Sequence, residues 1–167
     1  MTQLDNQDSK KKIPKIQVWQ YIKPSPVSKK SAVSAAQVDF FVMLVERLER
    51  ALMRYFQVRK CGQISADAFE RIYGLDEYIL FVEGSHACGF VCTDMASDFD
   101  FAFRNAKHEV VIPTLNFPQI RQYIHTLLRA EKWADGCESP ILDALRSGAL
   151  QAVSSRLKSD RTLYATS

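Results

Sequence analysis

The chain has 167 residues, 47% of them apolar and 25% charged, which suits one folded domain with a real core and excludes a chain disordered throughout. Its net charge of +3 is unevenly placed: residues 1–34 hold seven Lys against two Asp, and the remainder holds 15 Lys and Arg against 17 Asp and Glu. The basic character therefore belongs to a leader, and the domain lacks the positive surplus that a nucleic-acid-binding domain carries.

Residues 1–34 read as a flexible or extended basic leader. A polar start runs through "KKK", and "IPKIQVWQYIKPSPV" follows, in which Pro14, Pro24 and Pro26 oppose a helix. Residues 35–158 read as a single globular domain and 159–167 as a polar tail. The spacing of Phe41, Leu44, Val45, Leu48, Leu52, Tyr55 and Phe56 predicts an amphipathic helix over 35–58. Arg47, Arg50 and Arg54 fall off that stripe and read as a solvated face. A short helix follows, opened by Ser65 and ended at Gly74. Residues 76–88 fit either a helix or a strand. "EVVIPTL" at 109–115 reads as a short strand or an extended link. Asn116, Pro118 and Gly136 bracket a second long helix with Ile120, Tyr123, Ile124, Leu127 and Leu128 on its buried side. Ser139 and Pro140 open a further short helix that stops at Gly148, and "ALQAVSSRLK" forms the last one.

The N-terminus has no apolar run of the secretory kind, and the longest apolar run, "FFVMLV", is far too short to span a bilayer. Cys61, Cys88, Cys92 and Cys137 therefore read as reduced thiols of a cytoplasmic protein. Cys88, Cys92 and His86 match zinc spacings only loosely, and buried free cysteine is the favoured reading. His86, His108 and His125 sit in no nucleophile signature, and the chain contains no phosphate-loop motif.

One stretch, "EGSHACGFVCTDMASDFDFAFR", bears on chemistry. Gly84 and Ser85 after an apolar run, followed by Asp98 and Asp100 one residue apart, resemble a polymerase-beta-type nucleotidyltransferase of the AbiE toxin kind. That resemblance implies a strand over 76–83, a triphosphate loop at Gly84 and Ser85, and Mg²⁺ on Asp98 and Asp100, with Glu109 as third carboxylate.

A second resemblance covers residues 79–158. "GFVCTDMASDFDFAF", "IRQYIHTLLRAEKWADG" and "ILDALRSGALQAVSSRL" are similar to a bacterial family of unknown function. The shared elements are a Gly-Phe-Val turn (Gly89-Phe90-Val91), a Phe-Asp-Trp segment (Phe99-Asp100-Phe101 here), the run from Leu128 to Gly136, and Ser147-Gly148. Phe101 replaces the tryptophan of that segment. This resemblance implies a helix over 76–87 in which Asp76 caps and Leu75, Ile79, Val82 and His86 share a face. Gly89 then takes a left-handed conformation at the helix end, and Asp98 or Asp100 caps a turn. Arg129 and Glu131 are expected to pair with each other or with Asp135. The resemblance implies a fold pattern and no activity.

Together these features predict a mainly α, single compact helical domain with an extended N-terminal arm, or an α+β variant with a short strand pair near 90–92 and 109–115. The expected function is that of a small cytoplasmic bacterial protein of the kind carried on mobile elements. It would act as a non-enzymatic protein-interaction or self-association module with no cofactor. Its partner would be an unidentified protein or a second copy, with Trp19 and Tyr21 as candidate contacts. The first alternative is the Mg-dependent nucleotidyltransferase. The second is a nucleic-acid-associated accessory protein whose leader lysines attract phosphates weakly and in a salt-sensitive way. No membrane partner is expected.

Overall fold

A computed structural model describes residues 32–58, 66–91, 100–134 and 139–159. The chain forms α1 (Ala35–Val58), α2 (Ala66–Tyr73), α3 (Asp76–Ala87), α4 (Phe101–Ala106) and α5 (His108–Val111). A 3₁₀ turn (Ile112–Thr114) leads into α6 (Phe117–Trp133), then α7 (Pro140–Arg146) and α8 (Ala149–Ser159). The architecture is mainly α, and no strand occurs among the described residues.

Local chemistry sets the ends of these helices. Ser34 and Gln37 cap α1 reciprocally: the Ser34 N–H donates to Gln37 Oε1 at 2.8 Å, and the Gln37 N–H donates to Ser34 Oγ at 3.3 Å. Val33 and Val38, on either side of that cap, are both buried. The same device opens α6, where Asn116 and Gln119 exchange two bonds of 2.9 Å and Pro118 sits in the first turn. Ser139 opens α7 by accepting from the Leu142 N–H. At the end of α3, the Phe90 N–H returns to the Ser85 carbonyl and the Gly89 N–H to the His86 carbonyl. This is a Schellman closure, and Gly89 at φ 76° supplies the left-handed residue it requires.

α1 packs against α3 and α8, while α7 packs against both α6 and α8. The expected stripe of α1 is buried at Phe41, Leu44, Val45, Leu48 and Leu52, widened by Val38 and Val42. An aromatic chain crosses the core. Phe41 stacks on Phe90 with centroids 4.1 Å apart, and Phe90 meets Phe117 edge-on at 6.0 Å. α6 is buried almost all round, carrying Ile120, Tyr123, Ile124, Leu127 and Leu128 together with the polar Arg121, His125, Thr126 and Glu131.

Three expectations are corrected. Residues 109–115 form no strand. Val110 and Val111 both donate to the Lys107 carbonyl, Leu115 donates to Ile112, and Thr114 Oγ1 donates to the Val111 carbonyl at 2.7 Å. Only Ile112 and Leu115 of this stretch are buried, at the i, i+3 spacing of a helical turn. The extended partner expected at 90–92 is likewise no strand at Phe90 and Val91, while Cys92 lies outside the described residues. Residues 76–87 are helical, but the buried face carries Tyr78, Phe81, Val82 and Ser85, with Ile79 and His86 half-buried beside it. Asp76 does not cap α3: Leu75 holds the capping position and makes no side-chain bond there.

Candidate functional site

The Gly-Ser pair lies inside α3 and not on a loop after a strand. Gly84 is buried where α3 meets α1, and a Cβ built on it would overlap Leu44 Cδ1. Ser85 is fully buried and its hydroxyl donates to the Phe81 carbonyl at 2.6 Å. Helix N–H groups at this depth are used within the helix, so neither residue presents the free backbone donors of a triphosphate loop. Asp100 is exposed and caps α4 by accepting from the Phe103 N–H at 3.0 Å. Glu109 is exposed on α5. Asp98 lies outside the described residues, as do Trp19, Tyr21, Ser65, Cys61, Cys92 and Cys137.

The remaining nominated side chains have structural settings. Cys88 is a buried free thiol pushed up to about 11 by desolvation, so it stays protonated at neutral pH. His108 Nδ1 lies 3.0 Å from the Asn105 carbonyl, which makes Nδ1 the protonated nitrogen. His125 is buried in α6 and engaged there. His86 is held below its ordinary range first by burial and then by the charge of Lys132. No group of three potential metal-ligating side chains converges among the described residues.

The densest polar cluster surrounds a residue the sequence assigns to an ion pair. Glu131 is buried in α6, and its carboxylate faces neutral donors in place of Arg129. Oε1 accepts from the Tyr78 hydroxyl and the Ser139 hydroxyl, each at 2.7 Å, and Oε2 accepts from the Ile141 N–H at 2.9 Å. Tyr73 adds a further side-chain hydrogen bond. Burial raises the carboxyl's affinity for its proton, and these bonds oppose that rise without cancelling it. Both oxygens are thus committed inward, tying α2, α3 and α6 to the start of α7. Arg121, also buried, directs Nε and Nη2 at the Gly89 carbonyl, 3.1 and 2.7 Å away. Tyr123 donates to Asn105 Oδ1 at 2.6 Å. These are ties between helices, and the cluster is structural in its chemistry.

The outer face of α1 is different. Phe40 is 42% exposed and Met43 37% exposed, one turn apart on the side opposite the core. Arg47, Arg50 and Arg54 continue the same line and are all exposed. Two of the helix's carboxylates turn elsewhere: Glu46 pairs with Lys158, and Glu49 accepts from Gln151, both partners being on α8. Arg50 donates to the Glu46 carbonyl, and none of the three arginines forms an ion pair among the described residues. The sequence places the arginines outside correctly. It does not single out Phe40 and Met43, which fall off the expected stripe but sit inside "FFVMLV", a run that is apolar throughout. No helix among the described residues is long and apolar enough to cross a membrane. Comparisons with protein-family models, with curated proteins and with solved structures return no match to this chain.

Proposed function

We propose that this chain is a non-enzymatic protein-interaction module and that its contact surface is the outer face of α1. The observation that supports this reading is the exposure of Phe40 and Met43 in line with three exposed arginines that form no ion pair among the described residues. Aromatic residues, Met and Arg are the types enriched where proteins meet. The buried Tyr78, Arg121, Tyr123 and Glu131, by contrast, use their polar atoms to join separate segments of the fold. The reading also places the protein in the cytoplasm, where a free thiol such as Cys88 persists.

Sedimentation velocity and crosslinking of the full chain test it. Wild type is expected to show a concentration-dependent dimer or a retained partner, and Phe40→Ser/Met43→Ser to lose it while keeping its thermal midpoint. Identical behaviour of the two proteins in both sedimentation and crosslinking to other proteins would sink the reading. A nucleotide-acting enzyme would give another result: Mg²⁺ with a nucleoside triphosphate at a hundred times its dissociation constant would add about 2.7 kcal/mol of stability, lost in Asp98→Asn/Asp100→Asn. Flat thermal-shift curves are expected here.

A further inference from the structure

We infer that the partner received by α1 is an acidic amphipathic helix of another protein. This rests on the interaction-module reading and names the chemistry of its occupant. Ala36, Phe40, Met43, Arg47, Arg50 and Arg54 follow one another at spacings of three and four residues, so they fall on a single stripe about 27 Å long. The stripe has two halves. Phe40 and Met43 offer apolar surface at the N-terminal end, and three guanidinium groups follow over the next two turns.

Like charges three and four residues apart repel within a helix. Among the described residues Glu46 and Glu49 bond to α8 and no carboxylate pairs with the three arginines. An incoming row of carboxylates would relieve that repulsion through paired N–H···O bonds, which the planar guanidinium fork suits. A second copy of this chain is a poor occupant, since it brings the same arginines. The leader is poorer still, with seven Lys against two Asp. Nucleic acid would satisfy the arginines alone. The adjoining Met43 and Phe40 call for aliphatic and aromatic side chains, and flexible Met side chains adapt well to a protein surface. A helix with apolar residues over two turns and Glu or Asp at i, i+3 and i+7 over the next two matches both halves.

The test is fluorescence anisotropy of three labelled probes with the full chain. The first is a helical peptide of about 20 residues, long enough to match the stripe, with a Leu pair followed by Glu at i, i+3 and i+7. The second is its twin with Lys in place of Glu, and the third is a single-stranded DNA of similar length. Saturable binding of the acidic peptide is expected, weakening as salt is raised, with no binding of the Lys twin. Arg47→Glu/Arg50→Glu/Arg54→Glu should weaken it by roughly ten-fold or more. Arg47→Gln/Arg50→Gln/Arg54→Gln, which keeps good helix formers, should weaken it as well and guards against a folding artefact. The inference is overturned by no binding of the acidic peptide near 1 mM (roughly −4 kcal/mol), by equal binding to the glutamine variant, or by preferred, arginine-dependent binding of the DNA. If the peptide fails while Phe40→Ser/Met43→Ser still abolishes a dimer in sedimentation or a crosslinked complex with another protein, the module reading stands and only the acidic partner falls.

Discussion

The Tyr78 hydroxyl donates to Glu131 Oε1 at 2.7 Å across 53 residues of sequence, and both side chains are buried. The phenol keeps its proton because burial, and then the neighbouring carboxylate, raise its pKa well above 10.0. Donor and acceptor roles are therefore fixed: Tyr78, Ser139 and Ile141 give, and Glu131 receives.

Glu131→Ala leaves those three donors without an acceptor and is expected to cost about 2–4 kcal/mol in urea denaturation. Glu131→Gln keeps the shape. Its amide oxygen can take the Ile141 N–H while the two hydroxyls turn to accept from its NH₂, so a loss of only about 1 kcal/mol is expected. The pH dependence adds a second mark. Glu131 has a folded pKa raised above its ordinary 4.5, so its folded form holds the proton more tightly than the unfolded chain. Its contribution is fully present below 4.5 and is lost as pH rises through the folded pKa. Relative to wild type, Glu131→Gln should therefore gain stability as pH climbs above 4.5, and a constant gap between the two would contradict this assignment.

His86 should titrate in the opposite sense. Its pKa is lowered from 6.5 by burial first and by Lys132 second, so the folded state releases its proton sooner than the unfolded chain. The stability tied to it is present above 6.5 and is lost as pH falls through the folded pKa. An NMR titration of the imidazole in Lys132→Gln is expected to recover less than half of the shift, because the charge is the smaller cause. Full recovery would make the charge dominant.

How far the sequence anticipates this structure depends on how long and how unambiguous each pattern is. α1 and α6 are legible because apolar residues recur over several turns, and in α6 a capping Asn116 and Pro118 mark the start. Residues 78–82 are five apolar residues in a row, a run that fits a buried strand as well as a buried helix, and only the packing of Phe81 and Val82 into the core decides. "EVVIPTL" is rich in β-branched residues, yet burying Ile112 and Leu115 together requires a helical turn, and tertiary burial overrides propensity. Glu131 reads as an ion-pair residue because the sequence cannot show that Tyr78 and Ser139 lie opposite it. The arginine stripe of α1 is legible as a periodic pattern, while its apolar half emerges only from the exposure of Phe40 and Met43 in the fold.

Gly84 offers a sharper check on the contact between α1 and α3. Alanine is the better helix former by about 1 kcal/mol, but its methyl would overlap Leu44 Cδ1 inside a filled core. Overpacking of this kind costs about 1–3 kcal/mol, so Gly84→Ala should be net destabilising by up to about 2 kcal/mol. In a Leu44→Ala background the obstruction is gone and the new methyl enters the vacated space. The same substitution should then stabilise, and a thermal-denaturation cycle reads the change of sign. Destabilisation in both backgrounds would mean that the backbone, and not Leu44, limits this position.

Arg121 ties α6 to the turn that ends α3. Its Nε and Nη2 both reach the Gly89 carbonyl, which stands at the negative end of α3, where a cation is favoured. Arg121→Met preserves much of the apolar stem but leaves that carbonyl without its charged donor, and a loss of about 2–3 kcal/mol is expected. Arg121→Lys keeps the charge and gives up the fork, so it should recover part of this loss and remain below wild type. Hydrogen exchange locates the effect: the Gly89 and Phe90 amides, which close the Schellman turn onto His86 and Ser85, should lose protection before the centre of α6 does. Uniform loss across α3 and α6 would show instead that Arg121 supports the whole core, with no special hold on the turn at Gly89.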